Sequence, residues 1–203
     1  MMAHYPPARH ACLDLPQPCC LKRDPMADYC DLAPTHPFHQ PYHDNEYGFP
    51  VTSDDSLFER LALEINQAGL SWLTVLKKRA AFRQAFDEFS VVRVADYGEQ
   101  ERQRLLGDAG IIRNRLKIDA VIHNAGVIRD LQTEHGSFKH WLDYHHPLPL
   151  NDWVRLFKRT FRFTGPEIVN EFLMSTGYLQ GAHREDCPVY AKIVACRPAW
   201  VDT

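Results

Sequence analysis

One glutamate stands inside an apolar helical stripe. Leu57, Phe58, Leu61, Ile65 and Ala68 recur at the spacing of one helix face. At about 100° per residue, Glu64 projects between Leu61 and Ala68. Burying that carboxylate without a partner costs several kcal/mol. Either an arginine pairs with it and its role is structural, or it faces a site where a substrate completes it. A second set of residues suits a metal. His183 and Cys187 are four positions apart, and His43 follows Cys30 by thirteen. Two thiolates and two imidazoles match tetrahedral zinc. With eleven histidines in the chain, the spacing leaves metal binding and inert burial both open. A closed set of four would be structural, since no position remains for water, and it would clip the ends of the chain across a very long loop. The third feature is Gly107–Lys117, GDAGIIRNRLK. Such a glycine-containing turn can offer backbone N–H groups to phosphate oxygens while arginine and lysine add charge. It reads equally as an ordinary helical hairpin with a solvated basic end.

These groups need helices to place them. Ser53, Asp54 and Asp55 cap and charge the start of the Glu64 helix, and Gly69 stops it. Ser71 caps a second helix through Trp72, Val75, Leu76, Phe82 and Phe86. A helix near 99–107 precedes the turn. A longer one over 114–134 follows, with Leu116, Ala120, Val121, Ala125 and Ile128 facing inward. Short helices near 137–144 and 151–162 come next. Pro166 opens another, over 166–176, and Gly177 ends it. No stretch alternates with period two, so the expected fold is all-α.

The chain has 203 residues, room for one domain and a sizeable core. Residues 1–29, rich in Pro, Cys and His, are expected to form a poorly ordered extension before a domain over 30–203. No apolar run approaches the roughly 18 residues of a membrane span, and the N-terminus lacks a secretory pattern. A cytoplasmic location is therefore expected, and the six cysteines are not expected to form disulfides. The net charge of −3 lacks the overall basic balance of many nucleic-acid binders. A DNA surface would have to be local, at Lys77–Lys78–Arg79, Arg113–Arg115–Lys117 or Lys158–Arg159–Arg162, each of which also reads as a solvated helix face.

Several motifs in register decide between these readings. Tyr42-His43-Asp44-Asn45-Glu46-Tyr47-Gly48 resembles the YHDxEWG motif of the 3-methyladenine DNA glycosylase I family. Leu63-Glu64-Ile65-Asn66-Gln67-Ala68-Gly69-Leu70-Ser71-Trp72 resembles its LEGxQAGLSW motif, and Thr74–Arg79 continues the match. Asp108–Arg115 resembles its hairpin. Phe161–Gly165 and the His183…Cys187 pair resemble its C-terminal part. The resemblance spans about residues 30–190.

It implies a helix-hairpin-helix glycosylase fold whose irregular N- and C-terminal arms are clipped by structural zinc on Cys30, His43, His183 and Cys187, with Cys19 and Cys20 as fallback ligands. It implies a base pocket of Glu64, Tyr42, Tyr47 and Trp72. The DNA surface would be Gly110, Arg113, Arg115, Lys77 and Lys78. The implied activity is removal of 3-methyladenine from damaged double-stranded DNA by a monomer with no membrane association. Glu64 would chiefly recognise the base, with any water-positioning role secondary. Three residues depart from the family pattern: Tyr47 for a tryptophan, Ile65 for a glycine, and Leu32 for an aromatic. Two alternatives stand beside this reading. One is a catalytic zinc hydrolase using His43, Cys187 and Glu46. The other is a non-catalytic helix-hairpin-helix DNA-binding protein.

Overall fold

The computed structural model describes residues 29–202. The extension expected over 1–29 lies outside the described residues except for Tyr29, which begins the first helix. The described chain is helical, with no strand among the described residues. In order the helices are α1 (Tyr29–Leu32), α2 (His39–Asn45), α3 (Asp54–Gln67), α4 (Trp72–Ala85), α5 (Val91–Ala95), α6 (Glu99–Gly107), α7 (Arg115–His135), α8 (Phe138–His145), α9 (Leu150–Thr160), α10 (Pro166–Ser175) and α11 (Tyr190–Ala195). Short 3-10 turns follow α1, α4 and α11. The arms expected to be irregular thus carry α1, α2 and α11. Helices of four to seven residues show too few turns for an apolar period to register.

The helix boundaries follow from local chemistry. The Ser56 amide donates to Ser53 Oγ at 3.5 Å and the Thr74 amide to Ser71 Oγ at 3.2 Å, capping α3 and α4. Pro166 occupies the first turn of α10. Beyond that helix Gly177 takes φ +80°, a left-handed conformation disfavoured for residues with a Cβ.

Helix α3 is the hub, packing against α4, α5, α7, α8 and α10. Every residue from Leu57 to Asn66 is buried. The single apolar stripe read from the sequence understates this, because a helix enclosed on all sides buries its polar positions too. Glu59, Arg60, Glu64 and Asn66 are all interior. The main core gathers Leu57, Phe58, Leu61, Phe86, Phe138, Trp153, Phe157 and Phe172 around it. Ile65 is fully enclosed in that core, so its extra bulk is absorbed by packing. A small second core joins the arms through Cys30, Cys187, Val189 and Ile193. Leu32 is half-exposed, so the missing aromatic leaves no hole there. Leu116 is 70% exposed and does not face inward as expected. It lies in the first turn of α7, which projects past the core beside the α6–α7 turn.

Candidate active site and metal centre

The two arms bring Cys30, His43, His183 and Cys187 together, all four buried, with ligand atoms within 4.8 Å of one another. Cys187 Sγ lies 3.4 Å from His183 Nδ1 and 3.8 Å from His43 Nε2, and Cys30 Sγ lies 3.7 Å from His183 Nδ1. Tetrahedral zinc with sulfur at 2.3 Å and nitrogen at 2.0–2.1 Å sets S···N edges of about 3.6 Å. The donor set therefore fits a metal ion. The outer imidazole nitrogens are also engaged. His43 Nδ1 donates to Asp44 Oδ1 at 2.7 Å and His183 Nε2 to the Tyr47 carbonyl at 2.9 Å. Such bonds fix the tautomer that turns the other nitrogen's lone pair toward the centre of the cluster.

Glu46 does not belong to this centre. It accepts from Arg60 at 2.5 Å and from Arg79 at 2.7 and 2.9 Å, and Arg79 Nε also donates to Glu59 at 2.8 Å. The two guanidiniums hold the Glu46 carboxyl below its ordinary range against the opposing pull of burial. A carboxylate so occupied is a poor acid/base group, which removes the residue that the zinc-hydrolase alternative needed. The Glu46–Glu59–Arg60–Arg79 network borders a hollow of about 690 Å³, but both of its carboxylates are already paired with arginines.

Glu64 is different. It is 4% exposed, yet its carboxyl makes no hydrogen bond among the described residues and lines a cavity of about 440 Å³. Gln67, Ala68, Gly69 and Leu70 continue the wall from the end of α3, while Gly165, Pro166, Ile168 and Glu171 close it from α10. Burial, reinforced by the charge of Glu171 and opposed by Arg60, pushes the Glu64 pKa up to about 8. Arg60 gives Nη2 to Glu46 and keeps Nη1 buried without a hydrogen bond among the described residues, so its charge pulls the Glu64 pKa down without outweighing burial.

Tyr42, Tyr47 and Trp72 form one aromatic cluster beside this wall, with Tyr42 5.0 Å from Trp72 and 5.6 Å from Tyr47 between ring centroids. None of the three rings is on the cavity lining itself. Tyr47 reaches the lining through its hydroxyl, which donates to Glu171 Oε2 at 3.1 Å. The Arg60 guanidinium sits 4.8 Å over the Tyr42 ring. The Tyr42 hydroxyl is buried without a hydrogen-bond partner among the described residues, a costly arrangement that a bound polar group would relieve. Two participants were not read from the sequence. Glu171 lies on α10, far from Glu64 in the chain and outside any matched motif. Tyr29 packs its ring 5.5 Å from Tyr47 and 5.6 Å from His43.

The turn between α6 and α7 is built from within. Asp108 Oδ1 accepts the Gly110 amide at 2.7 Å, and Lys78 Nζ donates to the Ala109 and Gly110 carbonyls at 3.0 Å each. A Cβ on Gly110 would meet Asp108 Oδ1 at 2.9 Å and Ala81 Cβ at 3.1 Å, so glycine is required by close approach. Gly110 and Lys78 therefore serve the turn's own geometry. Asn114 caps α7 by accepting the Lys117 amide at 3.2 Å. Arg113 and Arg115 are exposed beside that helix N-terminus, where open amides and the helix dipole favour an anion. Lys77 is exposed and sits 5.7 Å over the Phe38 ring. Lys117, grouped with the basic surface in the sequence, is 4% exposed and turns inward. Its Nζ donates to the Asn66 and Ala68 carbonyls at 2.9 and 2.6 Å, bolting the start of α7 to the rim of the Glu64 cavity.

Residues 32–150 match the methyladenine glycosylase family. The chain is 36% identical over 180 residues to DNA-3-methyladenine glycosylase 1 of Escherichia coli K12, covering 79% of this chain and 96% of that one. A crystal structure of a 3-methyladenine DNA glycosylase I variant in complex with 3-methyladenine superposes with a TM-score of 0.72 at 31% identity, covering 80% of this chain and 97% of the other. The Staphylococcus aureus 3-methyladenine DNA glycosylase I, solved to explain its recognition of 3-methyladenine, gives a TM-score of 0.72 at 31% identity over 80% of this chain and 96% of its own.

Proposed function

The chain belongs to the methyladenine glycosylase family, and from that premise we infer how its own residues carry out the reaction. It is a base-excision repair glycosylase that hydrolyses the N-glycosidic bond of 3-methyladenine in alkylated DNA. The observation that carries the reading is the Glu64 carboxyl, buried, without a hydrogen bond among the described residues, on the wall of a cavity beside three aromatic rings.

Methylation at N3 makes the adenine ring cationic and a good leaving group. The C1′–N9 bond breaks with its electron pair passing to that ring. Water then forms the new C1′–O bond and gives up a proton. Little acid help is needed at the base, so the protein's work is extrusion and recognition. Glu64 accepts from the adenine edge, and as the cation enters, the carboxyl is drawn toward its ionised form. Tyr47 and Trp72, which stand behind the lining, would offer faces to a cationic ring that enters past it, and the Tyr42 hydroxyl, buried without a partner among the described residues, would supply a further hydrogen bond.

We read α6, the turn at 108–114 and α7 as the helix-hairpin-helix element. Arg113, Arg115, Lys77 and the open amides of α7 would hold the DNA backbone. Gly110 and Lys78 would act by shaping the turn. Lys117 links this surface to the cavity rim, so a docked duplex and the pocket share one rigid unit. The residues that would hold zinc are Cys30, His43, His183 and Cys187, and the ion would supply a structural clip between the arms of a domain spanning residues 30–203. Thiolate ligands suit a reducing cytoplasm. No helix among the described residues is long and apolar enough to cross a membrane. Action on an isolated lesion needs no symmetric partner, which favours a monomer. The direct test is chromatographic detection of free 3-methyladenine released from methylated duplex DNA. DNA binding without release would return the non-catalytic alternative.

A further inference from the structure

Arg60 is a buried charge that stability alone does not explain. It lies on the enclosed stretch of α3 and is 5% exposed. Its Nη2 donates to Glu46, but Glu46 also takes two bonds from Arg79, so Arg60 holds no carboxylate of its own. Its Nη1 is buried with no hydrogen bond among the described residues. A buried ion in that state stabilises a fold less than an apolar side chain of similar volume. Its place is more telling. The guanidinium carbon stands 4.8 Å over the Tyr42 ring, behind the wall of the base cavity. Glu64 is one helical turn further along α3, and residues four apart share a helix face. Arg60 already acts on that carboxyl, opposing the upward pull of burial. Lys117, a second cation near the cavity, is by contrast tied to the Asn66 and Ala68 carbonyls.

We propose that Arg60 is a positioning residue for the chemical step, a fixed cation behind Tyr42 that makes the cavity hold the charged methylated base less firmly than the neutral base it becomes. The proposal rests on the glycosylase reading above. While the glycosidic bond is intact, the methylated ring carries one positive charge. Cleavage of C1′–N9 sends the electron pair to the ring, which becomes neutral. The positive charge passes to C1′, where water adds and loses a proton. A cation held in the wall of the base site therefore repels the ring before cleavage and ceases to repel it afterwards. Unit charges in a partly buried site act on each other over several ångströms. A repulsion relieved on the way to the transition state raises the rate of the step rather than the affinity for substrate. Glu64 attracts the ring and selects it. Arg60 keeps that attraction from holding the cation where it is.

The experiment is single-turnover release of 3-methyladenine from methylated duplex DNA by the unaltered protein, Arg60→Met and Arg60→Lys, with the protein concentration varied. Methionine keeps much of the stem without the charge, and Glu46 retains Arg79 as its partner. In Arg60→Met the maximal rate should fall about tenfold, and the half-saturating concentration should fall with it, the mark of ground-state repulsion removed. Arg60→Lys keeps a cation and should return both toward the unaltered values. Binding of free 3-methyladenine, measured at a mildly alkaline pH where that base is uncharged, should be equal across the three proteins. An unchanged maximal rate in Arg60→Met overturns the proposal. So does a lower rate with a raised half-saturating concentration, an equal loss in Arg60→Lys, or weaker binding of the free base, since each assigns the residue to shape rather than charge. Release of no base by the unaltered protein overturns the glycosylase reading instead. Should Arg60→Met fail to fold, Arg60→Gln, neutral but able to donate to Glu46, takes its place with the same outcomes.

Discussion

Removing metal from the Cys30–His43–His183–Cys187 cluster should destabilise the whole domain. The cluster joins chain positions 30 and 187. On a cross-link entropy scale, closing a loop of that length removes about 5 kcal/mol of freedom from the unfolded state. The arms have other ties, chiefly Arg184 on Asp31 at 2.7 and 2.8 Å, but an exposed pair of that kind returns at most about 1 kcal/mol. The four donors would also be left buried without their ion. The net loss should be about 3–5 kcal/mol. Urea unfolding followed by circular dichroism, before and after chelation and after zinc add-back, measures it, with metal content assayed in parallel. Because His183 also anchors the Tyr47 carbonyl, base affinity should fall with the metal. An identical unfolding midpoint in fully stripped protein would refute the reasoning, as would protein folded and active with no metal at isolation.

Three further outcomes follow from the site. Arg113→Ala should weaken DNA binding across sequences and reduce the salt-dependence slope by about 1; an unchanged slope takes Arg113 out of the interface. Lys117→Met keeps the apolar stem but loses both carbonyl contacts, so it should cost about 2 kcal/mol of stability and slow base release without changing that slope. A slope change of the size expected for Arg113 would instead make Lys117 a phosphate contact. The Glu64 pKa is raised from 4.5 to about 8 by folding. Its contribution to stability is therefore full below 4.5 and is lost as pH climbs through about 8. A cation entering the cavity reverses this shift, so base release should rise with pH toward 8. Glu64→Gln should flatten both dependences, and a rise that survives in that variant assigns it to another group.

The parts of the fold legible in the sequence are those where a local signal was strong. Ser53, Ser71, Gly69, Pro166 and Gly177 marked helix ends because caps, glycine and proline act within a few residues. The short helices α2, α5 and α11 carry no such period. Leu116 was misplaced because its apolar character suggested the core, whereas the α6–α7 turn carries that end of α7 out to solvent. Lys117 was misread for the opposite reason, since a basic residue beside two exposed arginines gives no hint that its amine caps the end of α3. Glu64 stood out because a charge on an apolar stripe is conspicuous from one helix alone. Glu171 did not, because its position on the cavity wall depends on α10 packing against α3, a long-range contact with no local mark. Spacing alone left the candidate metal-ligating residues open, and the family resemblance singled out Cys30, His43, His183 and Cys187. That the two pairs meet is a tertiary fact.

The most direct measurement is single-turnover release of 3-methyladenine by Glu64→Gln, with circular dichroism and metal content matched to the unaltered protein. Loss of a buried, preorganised electrostatic contact predicts a fall on the order of a hundredfold. Release at an unaltered rate would mean that the carboxyl facing the cavity does not read the base.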